Sequence, residues 1–196
     1  MLGLLAVAVL RAESVVVLGD SITAGYGLSA EQAYPALIAT ALAADPATAR
    51  WRVVNAGVSG DTSAGGLRRI DWVLKAKPEV VVVALGANDG LRGLSVSELE
   101  ANLRGIVAKV RAAGGRPLLI GMRMPKNLGP AYASAFDAVY PRLAADLQVP
   151  LLPFLLGGVA LDPALNQPDL IHPNPAGQQV LAKRITAWLT PLLVQP

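Results

Sequence analysis

The chain has 196 residues, the size of one domain with a core large enough to fold without disulfides or structural metals. Hydrophobic residues make up 53% of it and charged residues 16%, which excludes a disordered chain. The lack of cysteine and the single histidine exclude disulfide frameworks, thiolate catalysis and multi-histidine metal sites. The net charge of +3 is spread without a basic run, so nucleic-acid binding is not expected.

The first segment of the chain is apolar from residue 2 to residue 10 and is followed by Arg11 and Ala12. It is too short to cross a bilayer, which takes about 20 apolar residues. Two interpretations stay open: residues 1–12 are the remnant of a secretory signal peptide, or they are an N-terminal extension packed on the domain. The first predicts a periplasmic or secreted protein and the second a cytoplasmic one. In both cases residues 13–196 are expected to form a single domain.

Short β-branched runs alternate along the chain with longer stretches of helical periodicity. The runs predict strands at 15–18, 52–55, 80–85, 117–121 and 149–152, and the stretches predict helices at 31–44, 63–76, 97–113, 131–147 and 175–193. Crossovers through helices require parallel neighbours, and continuous apolar strands suit a sheet that is covered on both faces. The sequence therefore predicts an α/β fold, a three-layer αβα sandwich around a five-stranded parallel sheet.

Polar residues follow the ends of the predicted strands, where ligands of parallel sheets bind. In chain order they are Gly19-Asp20-Ser21, Asn55-Ala56-Gly57-Val58-Ser59-Gly60-Asp61, Gly86-Ala87-Asn88-Asp89 and, after a long loop, Asp169-Leu170-Ile171-His172-Pro173. We expect these four loops to converge at one edge of the sheet.

The lone histidine, His172, is a candidate general base. A serine nucleophile requires a base, an acid that orients the base, and donors for the oxyanion. Asp169, three residues before His172, can accept the Nδ1 proton and leave Nε2 free for a serine. Ser21 directly follows a buried strand, where its hydroxyl is exposed. Each feature also has a structural interpretation, because Asp20-Ser21 is a common helix cap and Asp-x-x-His is a weak motif by itself.

Two further residues are candidate oxyanion donors. Gly60 has a backbone N–H that no side chain obstructs, and Asn88 has a carboxamide NH2. Both residue types are also common in turns, so neither residue decides the matter alone.

Taken together, the four blocks resemble the SGNH (GDSL) hydrolase family, whose motif residues are Ser, Gly, Asn and His in that chain order. The resemblance implies an SGNH hydrolase fold with a flavodoxin-like sheet. It implies Ser21 as nucleophile, Asp169 and His172 as its triad partners, and an oxyanion hole of the Ser21 N–H, the Gly60 N–H and the Asn88 side chain. It also implies that Asp20 orders the nucleophile loop and that neither a metal nor an organic cofactor is needed.

The residues that flank these blocks resemble the bacterial periplasmic arylesterase, acyl-CoA thioesterase and lysophospholipase branch of the family. They are Leu18-Gly19-Asp20-Ser21-Ile22-Thr23-Ala24-Gly25-Tyr26, Gly90-Leu91-Arg92-Gly93-Leu94 and Leu151-Leu152-Pro153-Phe154. The implied substrates are small-molecule esters and thioesters: aryl esters, short- to medium-chain acyl esters, acyl-CoA and lysophospholipids. A lipid is thus a candidate substrate, without a membrane span. Two loops offer apolar side chains for an acyl chain, and we expect Leu91, Leu94 and Leu156 to contact it.

Two alternatives remain open, an acetyl-sugar esterase of the same superfamily and a non-catalytic binding domain with this fold. The stretch Gly25-Tyr26-Gly27-Leu28-Ser29-Ala30 also fits the G-x-G-x-x-A dinucleotide fingerprint, but it begins too far after the first strand for a pyrophosphate turn. An α/β-hydrolase is excluded because the sequence has no G-x-S-x-G nucleophile elbow.

Overall fold

A computed structural model describes residues 13–124 and 126–194. The strands are β1 Ser14–Gly19, β2 Arg52–Gly57, β3 Val80–Ala84, β4 Arg116–Ile120 and β5 Leu151–Leu152. The helices are α1 Ser21–Ala24, α2 Tyr34–Ala44, α3 Ser63–Leu74, α4 Ala87–Leu91, α5 Val96–Ala112, α6 Pro130–Leu147 and α7 Pro175–Val194. Short 3-10 turns occupy Ala30–Gln32 and Lys126–Leu128. The predicted signal remnant or extension, residues 1–12, lies outside the described residues.

The strands form one parallel sheet in the order β2-β1-β3-β4-β5, which confirms the predicted five-stranded flavodoxin-like sheet. In this order β2 lies on one side of β1, whereas β3, β4 and β5 follow on the other side. The strand order therefore reverses between β1 and β3. Gly19 at the end of β1 is in register with Gly57 of β2 and Ala84 of β3. The loops after these three strands therefore leave the sheet side by side, at the switch point where such folds bind ligands.

The helices cover both faces of the sheet, as predicted. Helix α2 packs with α7 on one face, and α3, α5 and α6 pack side by side on the other. The valine-rich central strand β3 is buried along its whole length because both of its faces are covered. Within residues 13–124 and 126–194, no helix is both long and apolar enough to cross a membrane.

The elements that differ from prediction are short. Strand β5 pairs with β4 through two residue pairs, fewer than the predicted 149–152, because Pro150 and Pro153 on either side of it have no N–H to donate. The predicted helix at 31–44 starts as a 3-10 turn and becomes α2 only at Tyr34, since Ala33 between them is extended. Helices α1 and α4 lie in predicted loops, and each has too few residues to produce a periodic pattern.

Candidate active site

The structure brings Ser21, His172 and Asp169 into one hydrogen-bonded chain. The Ser21 Oγ lies 2.9 Å from Nε2 of His172, and Nδ1 of the same ring lies 2.7 Å from Oδ2 of Asp169. A proton on Nδ1 that is donated to the carboxylate leaves the Nε2 lone pair facing the serine hydroxyl. This is the arrangement in which an imidazole can take the serine proton.

The Asp169 carboxylate is held by its own loop. Its Oδ1 accepts hydrogen bonds of 2.9 Å from the backbone N–H groups of Ile171 and His172, so the segment closes as a tight local turn. Partial burial raises the pKa of Asp169, but the hydrogen bonds from the His172 backbone, the His172 ring and the Ile171 backbone outweigh it and lower the pKa to about 2. The carboxylate is therefore ionised at neutral pH, although 39% of its side chain is exposed.

The loop that carries His172 is attached to the loop that follows Ser21. Gln167 donates its side-chain N–H to the Tyr26 carbonyl at 2.7 Å, and its backbone N–H donates to the His172 carbonyl at 2.8 Å. The Tyr26 ring lies against the imidazole, with the centroids 4.6 Å apart and the planes inclined by 38°. The ring thus covers one face of the imidazole, and 54% of Tyr26 remains exposed at the rim of the site.

Ser21 is the first residue of α1, directly after the N-cap Asp20. The Asp20 side chain is fully buried, and its Oδ1 accepts a 3.0 Å hydrogen bond from the Ile22 N–H. Burial raises the pKa of Asp20 to about 6, against the lowering effects of the Ile22 N–H and of His172. The helix cap expected as the structural alternative is therefore present, directly before the Ser21 hydroxyl that contacts His172.

Gly60 and Asn88 are the two other predicted oxyanion donors. Gly60 is in the left-handed conformation with φ of +80°, a backbone position that favours glycine. Asn88 donates one N–H of its carboxamide to the Asp61 carbonyl at 2.9 Å, which leaves its second N–H available. Among the described residues, neither the Ser21 N–H nor the Gly60 N–H donates a hydrogen bond. Within the described part of the chain, the two backbone N–H groups and the second Asn88 N–H are therefore free to donate.

Close packing joins the end of β2 to helix α1. A Cβ at Gly57 would lie 2.3 Å from the Ala24 backbone nitrogen, so only glycine permits this approach. The Asn55 side chain donates to the Thr23 carbonyl at 2.9 Å. These contacts set the distance between the loop of Gly60 and the helix of Ser21.

The helix of Asn88 is also anchored. The buried Asp89 carboxylate accepts hydrogen bonds from the Ser63 backbone N–H at 2.8 Å and from its hydroxyl at 2.5 Å. Ser63 is the first residue of α3, so this pair joins the starts of two helices. Asn88 is thereby oriented both by its own side chain and by the residue after it.

An apolar cleft of about 250 Å³ opens beside the triad. Its lining includes the chain neighbours of the site residues Ser21, Asn88 and His172, together with side chains from the loops after β4 and β5. They include Ile22, Ala87, Ile171, Met122, Met124 and Phe154. Of the predicted acyl-contacting residues, Leu91 and Leu156 line the cleft, whereas Leu94 is not among the described residues that do. The Leu94 carbonyl instead accepts a hydrogen bond from the Tyr132 hydroxyl.

Several residues of the site had no role assigned from the sequence. Gln167 joins two loops, and Tyr26, which the sequence offered only as part of a flanking motif, covers the imidazole. Met122 and Met124 line the cleft from the loop after β4, whose end was not among the four polar blocks. Arg69 lies in a stretch that predicts an ordinary helix, and only its contacts in the structure indicate a role at the site. Within residues 13–124 and 126–194, no group of three His, Asp or Glu side chains is arranged to hold a metal ion.

Comparison with known proteins places these residues in a family. Residues 17–180 match the GDSL-like lipase/acylhydrolase family. The chain is 45% identical, over 93% of its length and 86% of the relative's, to thioesterase 1/protease 1/lysophospholipase L1 of Escherichia coli. It is 44% identical to the esterase TesA of Pseudomonas aeruginosa, over 93% of this chain and 90% of that one.

A solved structure agrees with the fold. The psychrotrophic esterase EstA from Pseudoalteromonas, in a form inhibited by monoethylphosphonate, superposes with a TM-score of 0.87 at 32% identity, over 93% of this chain and 100% of that one. The family match covers well over half of the chain, and the relatives are esterases and thioesterases by name. The chain therefore belongs to the GDSL-like lipase/acylhydrolase family and is a carboxylic ester hydrolase.

Proposed function

We propose that this ester hydrolase works through an acyl-enzyme on Ser21. His172 takes the proton of the Ser21 hydroxyl through Nε2, and the oxygen attacks the acyl carbonyl of the substrate. Asp169, ionised at neutral pH, stabilises the imidazolium that forms and keeps the proton on Nδ1. The observation that carries this proposal is the Asp169–His172–Ser21 hydrogen-bond chain, at 2.7 and 2.9 Å.

The negative charge that develops on the carbonyl oxygen is assigned to three donors. They are the N–H groups of Ser21 and Gly60 and the free carboxamide N–H of Asn88. They are oriented before substrate binds, so little reorganisation is needed when the charge appears. His172 then protonates the departing alcohol or thiol, and a water activated by the same imidazole releases the acid.

The substrates we propose are small esters and thioesters with an apolar acyl group. The cleft beside the triad is lined by aliphatic, methionine and phenylalanine side chains, among them Leu91 and Leu156, which suits a hydrocarbon chain. Aryl esters, short- to medium-chain acyl esters, acyl-CoA and lysophospholipids all satisfy this requirement. An acetylated sugar fits it less well, because an acetyl group would leave most of the cleft empty.

We further propose that residues 13–196 form one domain and that the enzyme is periplasmic or secreted. The single continuous sheet supports the first point. The apolar segment before Glu13 supports the second, since it resembles the end of a secretory signal peptide.

The testing experiment is hydrolysis of p-nitrophenyl esters from acetate to palmitate, beside acetylated sugars. Wild type is compared with Ser21→Ala and with Ser97→Ala, an exposed serine on α5, and circular dichroism verifies that all three are folded. We expect wild type and Ser97→Ala to cleave the nitrophenyl esters and Ser21→Ala to be inactive. Full activity in folded Ser21→Ala would contradict the mechanism, faster cleavage of acetylated sugars would favour the sugar esterase, and an inactive wild type would favour a binding domain.

A further inference from the structure

The side chain of Arg69, on α3, makes three contacts beneath the oxyanion site. Its Nε lies 2.7 Å from Oδ2 of Asp61, its Nη1 donates to the Ala56 carbonyl at 2.8 Å, and its Nη2 donates to the Gly19 carbonyl at 2.9 Å. The side chains of Arg69 and Asp61 are 22% and 11% exposed. One guanidinium thus joins the ends of β1 and β2 and the loop that follows β2.

Two of the three contacts, those with Gly19 and Asp61, lead to the oxyanion donors. Gly19 is two residues before Ser21, and its carbonyl also accepts the Val58 N–H at 3.0 Å, from the loop that carries Gly60. Asp61 directly follows Gly60 in the chain. The Asp61 carbonyl accepts the 2.9 Å hydrogen bond that orients the Asn88 carboxamide.

The residue type fits this task. A guanidinium has donors in a rigid planar fork and can serve a carboxylate and two carbonyls at once, whereas a lysine ammonium is a point charge on a flexible stem. The ion pair with Arg69, in turn, holds the Asp61 carboxylate in place. Among the described residues the neighbouring Arg68 is exposed and makes no comparable contact.

We propose that Arg69, paired with Asp61, is a positioning residue that holds the Ser21, Gly60 and Asn88 donors in a common geometry for the oxyanion. This inference rests on the proposed function, because it assigns those three donors to the transition state. Arg69 does not touch the substrate. It acts through the Gly19 carbonyl on the nucleophile helix and through Asp61 on the other two donors.

The test measures steady-state hydrolysis of a p-nitrophenyl ester by Arg69→Lys, Arg69→Met and Asp61→Asn, with Arg68→Met as the matched control from the same helix. We expect kcat to fall about 10- to 100-fold in the three variants, because a displacement of donors by a fraction of an ångström weakens transition-state binding. KM is expected to stay within about twofold, since the apolar cleft is formed elsewhere. Arg68→Met is expected to behave as wild type.

Two readouts separate positioning from a general loss of structure. The rate of covalent inactivation by a p-nitrophenyl alkylphosphonate, whose phosphoryl oxygen needs the same donors, should fall in proportion to kcat. In a double-mutant cycle, Arg69→Lys with Asn88→Ala should lower kcat by clearly less than the product of the single effects, because Arg69 acts partly through Asn88.

Specific outcomes would overturn the inference. Folded Arg69→Lys and Asp61→Asn with wild-type kcat and inactivation rate would remove the positioning role, and fully multiplicative effects would remove the route through Asn88. Should Arg69→Met fail to fold, the Lys and Asn variants decide. Failure of the proposed function is separate, since it would appear as activity in Ser21→Ala, whereas failure of this inference leaves Ser21→Ala inactive.

Discussion

The site has two halves that are built in different ways. The base half, Asp169 and His172, lies three residues apart on one exposed turn, and the carboxylate is oriented by N–H groups of the same turn. The proposed oxyanion half, Ser21, Gly60 and Asn88, comes from the loops that follow three neighbouring strands. Those residues are held by contacts between distant parts of the chain, through Asp61, Arg69 and Gly57.

This difference determines how each half responds to change. The base half is partly exposed and depends on few long-range contacts, so changes in it should alter chemistry with little effect on folding. The oxyanion half is continuous with the buried sheet through Asp20, Gly57 and the Asp89–Ser63 pair. Changes there should affect both rate and stability.

The largest expected effect is that of His172→Asn. Removing the base should lower kcat by about 10⁴-fold or more, because the serine hydroxyl is then no longer deprotonated during attack. The free energy of unfolding should change by no more than about 1 kcal/mol, because the Asp169–His172 pair is partly exposed. Ester hydrolysis and urea denaturation check both parts, and a large loss of stability would contradict the contrast drawn between the two halves.

Asn88→Ala should have the next largest effect. It removes one oxyanion donor, which typically lowers kcat by about 10²- to 10³-fold. It also removes the hydrogen bond to the Asp61 carbonyl, so we expect a loss of stability of about 1 kcal/mol. Asn127→Ala, on the exposed 3-10 turn, is the control and should match wild type in both assays. Unchanged kcat in folded Asn88→Ala would remove this side chain from the oxyanion site.

The third prediction concerns the pH dependence of stability through Asp20. Its pKa is about 6 in the folded chain against an ordinary value of 3.8, so the folded state binds more protons between these values. Wild type should therefore lose stability as pH rises from about 4 to 7, by up to about 3 kcal/mol from this group. Asp169, whose pKa is lowered, contributes stability that is already complete above pH 4 and does not mask this trend.

The measurement is urea denaturation of wild type and Asp20→Asn across this pH range. Relative to wild type, Asp20→Asn should become more stable as pH rises, since it never acquires the buried charge. Asp71→Asn, whose side chain is 66% exposed, should show no such trend. A stability difference between Asp20→Asn and wild type that is the same at pH 4 and pH 7 would contradict the prediction.

Much of the fold was predictable because its signals are local. The apolar run 80–85 identified a strand buried on both faces, and the alternation with helical stretches identified a parallel sheet. Helices α1 and α4 were not predicted, and strand β5 was predicted too long. These elements have only two to five residues, which is too few to show a periodic pattern of apolar side chains. Leu94 was expected in the cleft because it is apolar and close to Asn88 in sequence, yet chain proximity does not fix the direction of a side chain.

The sequence by itself determined the order of the elements, the polar residues at the strand ends and the pairing of Asp169 with His172. These follow from neighbouring residues, through side-chain period, chain geometry and a turn that closes on itself. Only the tertiary structure decided that Arg69 reaches Gly19, that Gln167 reaches Tyr26 and that Met124 enters the cleft. Those contacts join residues that lie far apart in the chain, and their distances depend on how helices and loops pack on the sheet.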